Sequence, residues 1–233
     1  MLPSRTVDLT FAALAAVLAL AAAPACAASS AAGDPSERPI ERAVRTYESG
    51  DLTAARAAFE RLARAGVPAA HYNLAVMALR GEWPQADPDL ALRHMRAAAD
   101  SGFVTAWIGL GEMLETGQGT VVDMAASHRW YCRAAEAGSV HGQIACATNH
   151  YLGRGTARNL AEAARWYERA AEAGDAGAQY LVASMHETGD GVPRDLDKAR
   201  LWYVQAARNG DPLAGLKVRE IDAHGSDRPT SPR

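Results

Sequence analysis

The sequence predicts an all-α fold made by stacking helix–turn–helix repeats, and three observations predict it. Gly66, Gly102, Gly138, Gly174 and Gly210 stand 36 residues apart. Within that period small and apolar residues recur at intervals of three and four, as in Ala106, Leu110 and Met113, which puts them on one helix face. No segment keeps the apolar–polar alternation of a half-buried strand.

Composition narrows the class further. Of 233 residues 48% are hydrophobic but only 6% aromatic, so the apolar content is mostly small, chiefly alanine. A charged fraction of 22% and a net charge of −3 exclude a wholly disordered chain. The same balance argues against nucleic acid as a partner, because such a binder gathers a basic excess on one face. Three cysteines are too few for a disulfide-dense scaffold.

In chain order, Arg5 precedes a run from Leu9 to Ala23 that is apolar except for Thr10, followed by Pro24-Ala25-Cys26-Ala27. That run falls short of the ~20 residues that span a bilayer as a helix. A basic start, an apolar middle and a small-x-small end are the parts of a secretory signal peptide over 1–27, with Asp8 the discordant residue. An uncleaved anchor and a lipoprotein signal that acylates Cys26 are the alternatives; Ala23-Pro24-Ala25 suits the latter poorly. The favoured product is periplasmic or secreted, and a membrane partner enters only through lipid on Cys26. Residues 28–39 are Ala, Ser, Gly, Pro and charge, and read as a flexible leader.

A helix pair is expected over 40–66. Four full units follow at 67–102, 103–138, 139–174 and 175–210. Their shared columns are Ala70, Ala106, Gly142 and Ala178; Gly81, Gly117, Gly153 and Gly189; Asp87, Asp123, Asn159 and Asp195; and Trp130-Tyr131, Trp166-Tyr167 and Trp202-Tyr203, with His94-Met95 in the first unit. Alanine pairs close each unit, from Ala98-Ala99 to Ala206-Ala207. Glycine after the first helix accepts the positive φ of a C-terminal stop, and the Asp or Asn column caps the second helix by accepting from free amides. One such pair cannot bury its apolar face alone, so the units must stack. A capping helix is expected over 211–223 and a disordered tail over 224–233.

These columns resemble the Sel-1-like repeat, a variant of the tetratricopeptide repeat. The fourth unit carries the likeness most fully, from Ala178 through Gly189-Asp190-Gly191-Val192, Asp195, Lys198-Ala199, Trp202-Tyr203 and Ala206-Ala207 to Gly210. The 40–66 pair, with Tyr47, Gly50-Asp51, Ala55 and Phe59, looks more like an ordinary tetratricopeptide repeat. The first unit departs most, with Gly81-Glu82-Trp83-Pro84 in its loop. The resemblance implies a right-handed α/α solenoid whose first helices line a concave groove. That groove would present Thr105, Ile108, Glu112 and Glu115 in one unit, His141, Ile144, Thr148 and Tyr151 in the next, and Gly177, Tyr180, Ser184 and Glu187 in the last. Trp83 and Trp107 fall outside the Trp-Tyr column and are candidate exposed anchors. Ile108, Ile144 and Tyr180 can equally serve as packing between repeats.

No phosphate loop, Gly-x-Ser-x-Gly elbow, His-Glu-x-x-His helix or Ser-x-x-Lys motif is present, so no catalytic residue, cofactor or metal site is expected. His150 and His186 share one column, beside the Glu115 and Glu187 column; two such side chains do not define a metal site, and a semi-buried tyrosine slot explains them. Cys132 and Cys146 lie seven residues either side of Ser139 in an inter-helix turn, so an antiparallel hairpin faces them toward each other. A disulfide and two buried small side chains are both open; cysteine-rich members of the family bridge equivalent helices closer to the turn. The leading function is a non-enzymatic cell-envelope module that binds a protein or peptide. The resemblance also leaves open β-lactam or peptidoglycan binding, weak β-lactam hydrolysis, and a scaffold role in an export complex.

Overall fold

The computed structural model describes residues 38–84 and 88–226, and among them are eleven helices and no strand. In chain order they are α1 (Pro39–Glu48), α2 (Leu52–Arg64), α3 (Pro68–Leu79), α4 (Pro88–Asp100), α5 (Val104–Thr116), α6 (Met124–Glu136), α7 (Val140–Leu152), α8 (Leu160–Glu172), α9 (Ala176–Thr188), α10 (Leu196–Arg208) and α11 (Ala214–Ser226). The fold is an all-α helical repeat, divided into two compact units that meet within α5, between Ala106 and Trp107. None of the described helices is long and apolar enough to cross a membrane. The signal segment, the leader through residue 37, Asp87 and the tail from 227 lie outside the described residues.

The first unit buries Ala43, Ala55, Phe59, Ala63, Ala70, Leu74 and Met77 as its core. Three helices here begin with proline, Pro39, Pro68 and Pro88, where the missing amide costs nothing and the fixed φ suits a helix. Pro39 therefore belongs to α1 and not to a flexible leader. Trp83 is not a free anchor: it packs against this core with the Arg56 guanidinium 5.2 Å from its ring centre. The loop of the divergent first unit is also tied down, because the Tyr47 hydroxyl donates to Glu82 at 2.9 Å and accepts from Arg80 at 2.7 Å.

In the second unit the 36-residue register becomes repeated geometry. Asp123, Asn159 and Asp195 each accept from the amide three residues on, at 2.9, 3.1 and 2.9 Å, which satisfies donors the helix leaves open. Ser139 and Asp175 do the same for the first helices. Gly153 and Gly189 close α7 and α9 in the left-handed region, at φ +71° and +87°. The second glycine of each loop meets a packing demand: a Cβ on Gly155 would lie 2.0 Å from the Met124 carbonyl oxygen, and one on Gly191 2.2 Å from that of Leu160. These glycines let one loop touch the start of the preceding second helix. A phosphate cradle is not needed to explain them.

Tyr131, Ala135, Cys146, Trp166, Tyr167, Ala170, Ala178, Val182 and Met185 belong to one buried cluster. Ala183, Ala199, Tyr203, Ala206 and Ala214 form the next, covered by Val218 and Ile221 of α11. Helix α11 runs through Ser226, past residue 223, so 224–226 are helical and not tail.

Candidate interaction surface

The candidate stripe lies on α5, α7 and α9. Thr105, Ile108, Glu112, Glu115, Ile144, Thr148, Tyr151, Tyr180, Ser184 and Glu187 are all half-buried, while His141 and Gly177 are exposed. Thr105 falls in the first unit and the others in the second. Ile108, Ile144 and Tyr151 pack against the core cluster from outside. Tyr180 meets Tyr203 edge-on, with ring centres 5.1 Å apart.

A tyrosine from the Trp-Tyr column reaches back to the stripe in each of the last three repeats. The Tyr131 hydroxyl donates to Glu115 at 2.9 Å and that of Tyr203 to Glu187 at 2.6 Å, while the Tyr167 and Thr148 hydroxyls are hydrogen-bonded at 2.8 Å. Burial, followed by the facing carboxylates, raises the Tyr131 and Tyr203 phenols far above their ordinary value, so they remain donors at any physiological pH. Glu115 also lies 3.8 Å from Arg154, and Glu187 lies 3.3 Å from Lys217. Glu112 sits outside these rungs, 3.8 Å from His141. Burial, and next the Glu115 charge, push its carboxyl up to about 7, and burial lowers His141.

The structure corrects one expectation about a particular side chain. Trp107 is only 9% exposed, and the Arg133 guanidinium covers its ring at 4.4 Å, so it packs and does not project. The two repeat histidines sit in separate surroundings. The His150 ring meets His128 edge-to-face at 4.7 Å, while His186 is buried, with Nδ1 3.4 Å from the Pro193 carbonyl and Nε2 3.9 Å from Glu168. Successive helices direct the two rings toward different neighbours despite their shared column.

Cys132 and Cys146 form a disulfide with Cα atoms 4.9 Å apart, joining α6 to α7. His128 was not a candidate in the sequence because it lies off the repeat columns. Its signal was the spacing: His128 and Cys132 lie four residues apart before Ser139, and Cys146 and His150 four apart after it. Arg158 and Arg194 were missed as well; each donates through Nε to the carbonyl at the end of a first helix, Tyr151 at 3.0 Å and Glu187 at 2.9 Å. A separate open cavity of about 640 Å³ is lined by Gln179, Lys198, Leu201, Trp202 and Asn209 among others, and by no stripe residue.

Comparison with known proteins agrees with the repeat geometry. The Sel1 repeat matches residues 68–103, 108–139, 140–175 and 176–211. A protective antigen of uropathogenic Escherichia coli strains, described as displaying an SLR fold, is 27% identical and superposes with a TM-score of 0.75 over 83% of this chain and 42% of its own. A Sel1 repeat protein from Oxalobacter formigenes is 33% identical, with a TM-score of 0.67 over 72% of this chain and 49% of its own. This chain thus spans less than half the length of either structure. No curated protein matches the sequence. Sel1 repeat proteins generally mediate protein–protein interactions and are typically non-catalytic. With matched repeats over more than half its length, the chain belongs to the Sel1 repeat family.

Proposed function

We propose that this chain is an exported, non-enzymatic interaction module of the bacterial cell envelope that holds a protein or peptide along the first-helix stripe. The observation that carries this reading is the row of tyrosine rungs. Tyr131, Tyr167 and Tyr203 hold Glu115, Thr148 and Glu187 in place from behind while leaving those side chains part-exposed. Polar groups ordered before a partner arrives lose less conformational freedom on binding. Export is supported by the signal-like segment over residues 1–27 and by the Cys132–Cys146 bond, which suits an oxidising compartment.

The test uses Glu112→Lys with His141→Glu. Both positions belong to the stripe but to none of its rungs, so the pair puts a cation in place of the carboxylate and a carboxylate in place of the imidazole without removing a rung. Partners captured from envelope extract by the wild-type protein should be lost by this variant, because reversed charges oppose a complementary surface. Equal capture by a variant of unchanged helicity would reject the stripe as the binding surface.

A further inference from the structure

The hairpin of α6 and α7 carries four metal-binding side chains in a symmetric arrangement. His128 and Cys132 lie about one turn apart on α6, and Cys146 and His150 about one turn apart on α7. Both pairs are equidistant from Ser139 in the turn, so antiparallel packing sets cysteine against cysteine and histidine against histidine. One ligand atom from each residue lies within 4.8 Å of the other three.

Two cysteines and two histidines form a Cys2His2 donor set, which zinc takes in tetrahedral geometry. With Zn–S ~2.3 Å and Zn–N ~2.0–2.1 Å, the edges of that tetrahedron are ~3.6 Å for N···S and ~3.8 Å for S···S. Sγ of Cys132 is already 3.6 Å from each ring nitrogen of His128. Nδ1 of His150 is buried and has no hydrogen-bond partner among the described residues, an arrangement that folded proteins rarely leave unexplained.

We propose that the reduced hairpin binds one Zn²⁺ through His128, Cys132, Cys146 and His150, and that the disulfide and the zinc complex are alternative states of the same side chains. An external dithiol supplies two electrons and two protons to the Cys132–Cys146 bond and itself becomes a disulfide. Zn²⁺ then displaces the two thiol protons and is held by two thiolates and two neutral imidazoles. In the reverse direction, an external disulfide takes two electrons from the zinc-bound thiolates. The protein S–S bond re-forms, the oxidant leaves as two thiolates, and Zn²⁺ is released. The hairpin thereby couples metal retention to redox state. This inference does not depend on the interaction reading, and its test requires no partner.

Purified full-length protein would be stripped with chelator, reduced anaerobically with a phosphine, and titrated with Zn²⁺ and, as a spectroscopic probe, Co²⁺. The reduced protein should take up one equivalent. Its Co²⁺ form should show thiolate-to-metal charge transfer and the intense visible bands of tetrahedral cobalt. Oxidised protein should bind at least ~100-fold more weakly, since both thiolates are gone. Cys146→Ser and His150→Gln should each weaken Zn²⁺ binding beyond the ~10–100-fold typical of losing an outer-shell partner, while His186→Gln leaves it unchanged. Absence of uptake by reduced wild-type protein, a Co²⁺ spectrum without the thiolate band, or wild-type affinity in His150→Gln would each overturn the proposal. Circular dichroism on the same samples covers the remaining case. If reduction lowers helicity, stoichiometric Zn²⁺ should restore it, and failure to do so also overturns the site.

Discussion

Replacing Gly191 by alanine tests whether the second loop glycine exists for close packing, and Gly174→Ala supplies the reference. Both residues have positive φ, +73° and +96°, so each alanine carries the left-handed cost of roughly 1–2 kcal/mol. Part of that cost is offset by about 0.4–1 kcal/mol, because alanine also restricts the unfolded chain. At Gly174 a Cβ meets nothing within 4 Å, so a net loss of about 1 kcal/mol should remain. At Gly191 the same Cβ would stand 2.2 Å from the Leu160 carbonyl oxygen and 2.4 Å from its carbon. Both are backbone atoms at the first residue of α8 and cannot swing aside. Overpacking of this kind adds about 1–3 kcal/mol, for a total loss of about 2–4 kcal/mol at Gly191. Urea unfolding followed by helicity measures both variants against wild type. Contacts in a repeat array run between neighbours and its unfolding need not be two-state, so midpoints are compared with hydrogen exchange at the α8 N-terminus. If Gly191→Ala proved no more destabilising than Gly174→Ala, close approach would not be the reason for glycine there.

Tyr203→Phe removes a hydroxyl that donates to Glu187 at 2.6 Å and should cost about 1.5–3 kcal/mol, as expected for a hydrogen bond to a charged group, measured by denaturant midpoint. Trp166→Ala opens a cavity at a side chain only 5% exposed and should cost about 3–5 kcal/mol; a loss below 1 kcal/mol would show that the core column does not hold the stack. Glu112 is pushed up to about 7 in the folded state from 4.5, so its contribution is fully present below pH 4.5 and is lost as pH rises through 7. Up to roughly 3 kcal/mol is at stake, less because the carboxyl is partly solvated. Glu112→Gln should therefore stabilise the protein at pH 8 and flatten its stability profile between pH 4.5 and 7; an unchanged profile would show that burial does not perturb this carboxyl.

The sequence by itself determined the helical repeat, because that repeat rests on local chemistry written every 36 residues. Asp123, Asn159 and Asp195 cap helices by reaching three residues ahead, and Gly153 and Gly189 stop them by adopting a conformation open to glycine. The facing of Cys132 and Cys146 was legible as one of two readings, since equal distance from a turn becomes proximity in any antiparallel hairpin. Tertiary structure alone decided which stripe residues are tied down and which are free. A column number places a residue on a helix face, but it does not say whether a tyrosine sixteen residues later ends against its carboxylate, as Tyr131 does at Glu115 and Tyr203 at Glu187. That outcome depends on the separation of two helices and on side-chain rotamers, neither of which has a sequence period. The same reason hid His128. His150 and His186 share a column, yet the packing of α6 on α7 gave His150 a neighbour that no repeat register marks. Trp107 followed suit: it stands outside the Trp-Tyr column but is buried, because Arg133 of α6 lies across its ring.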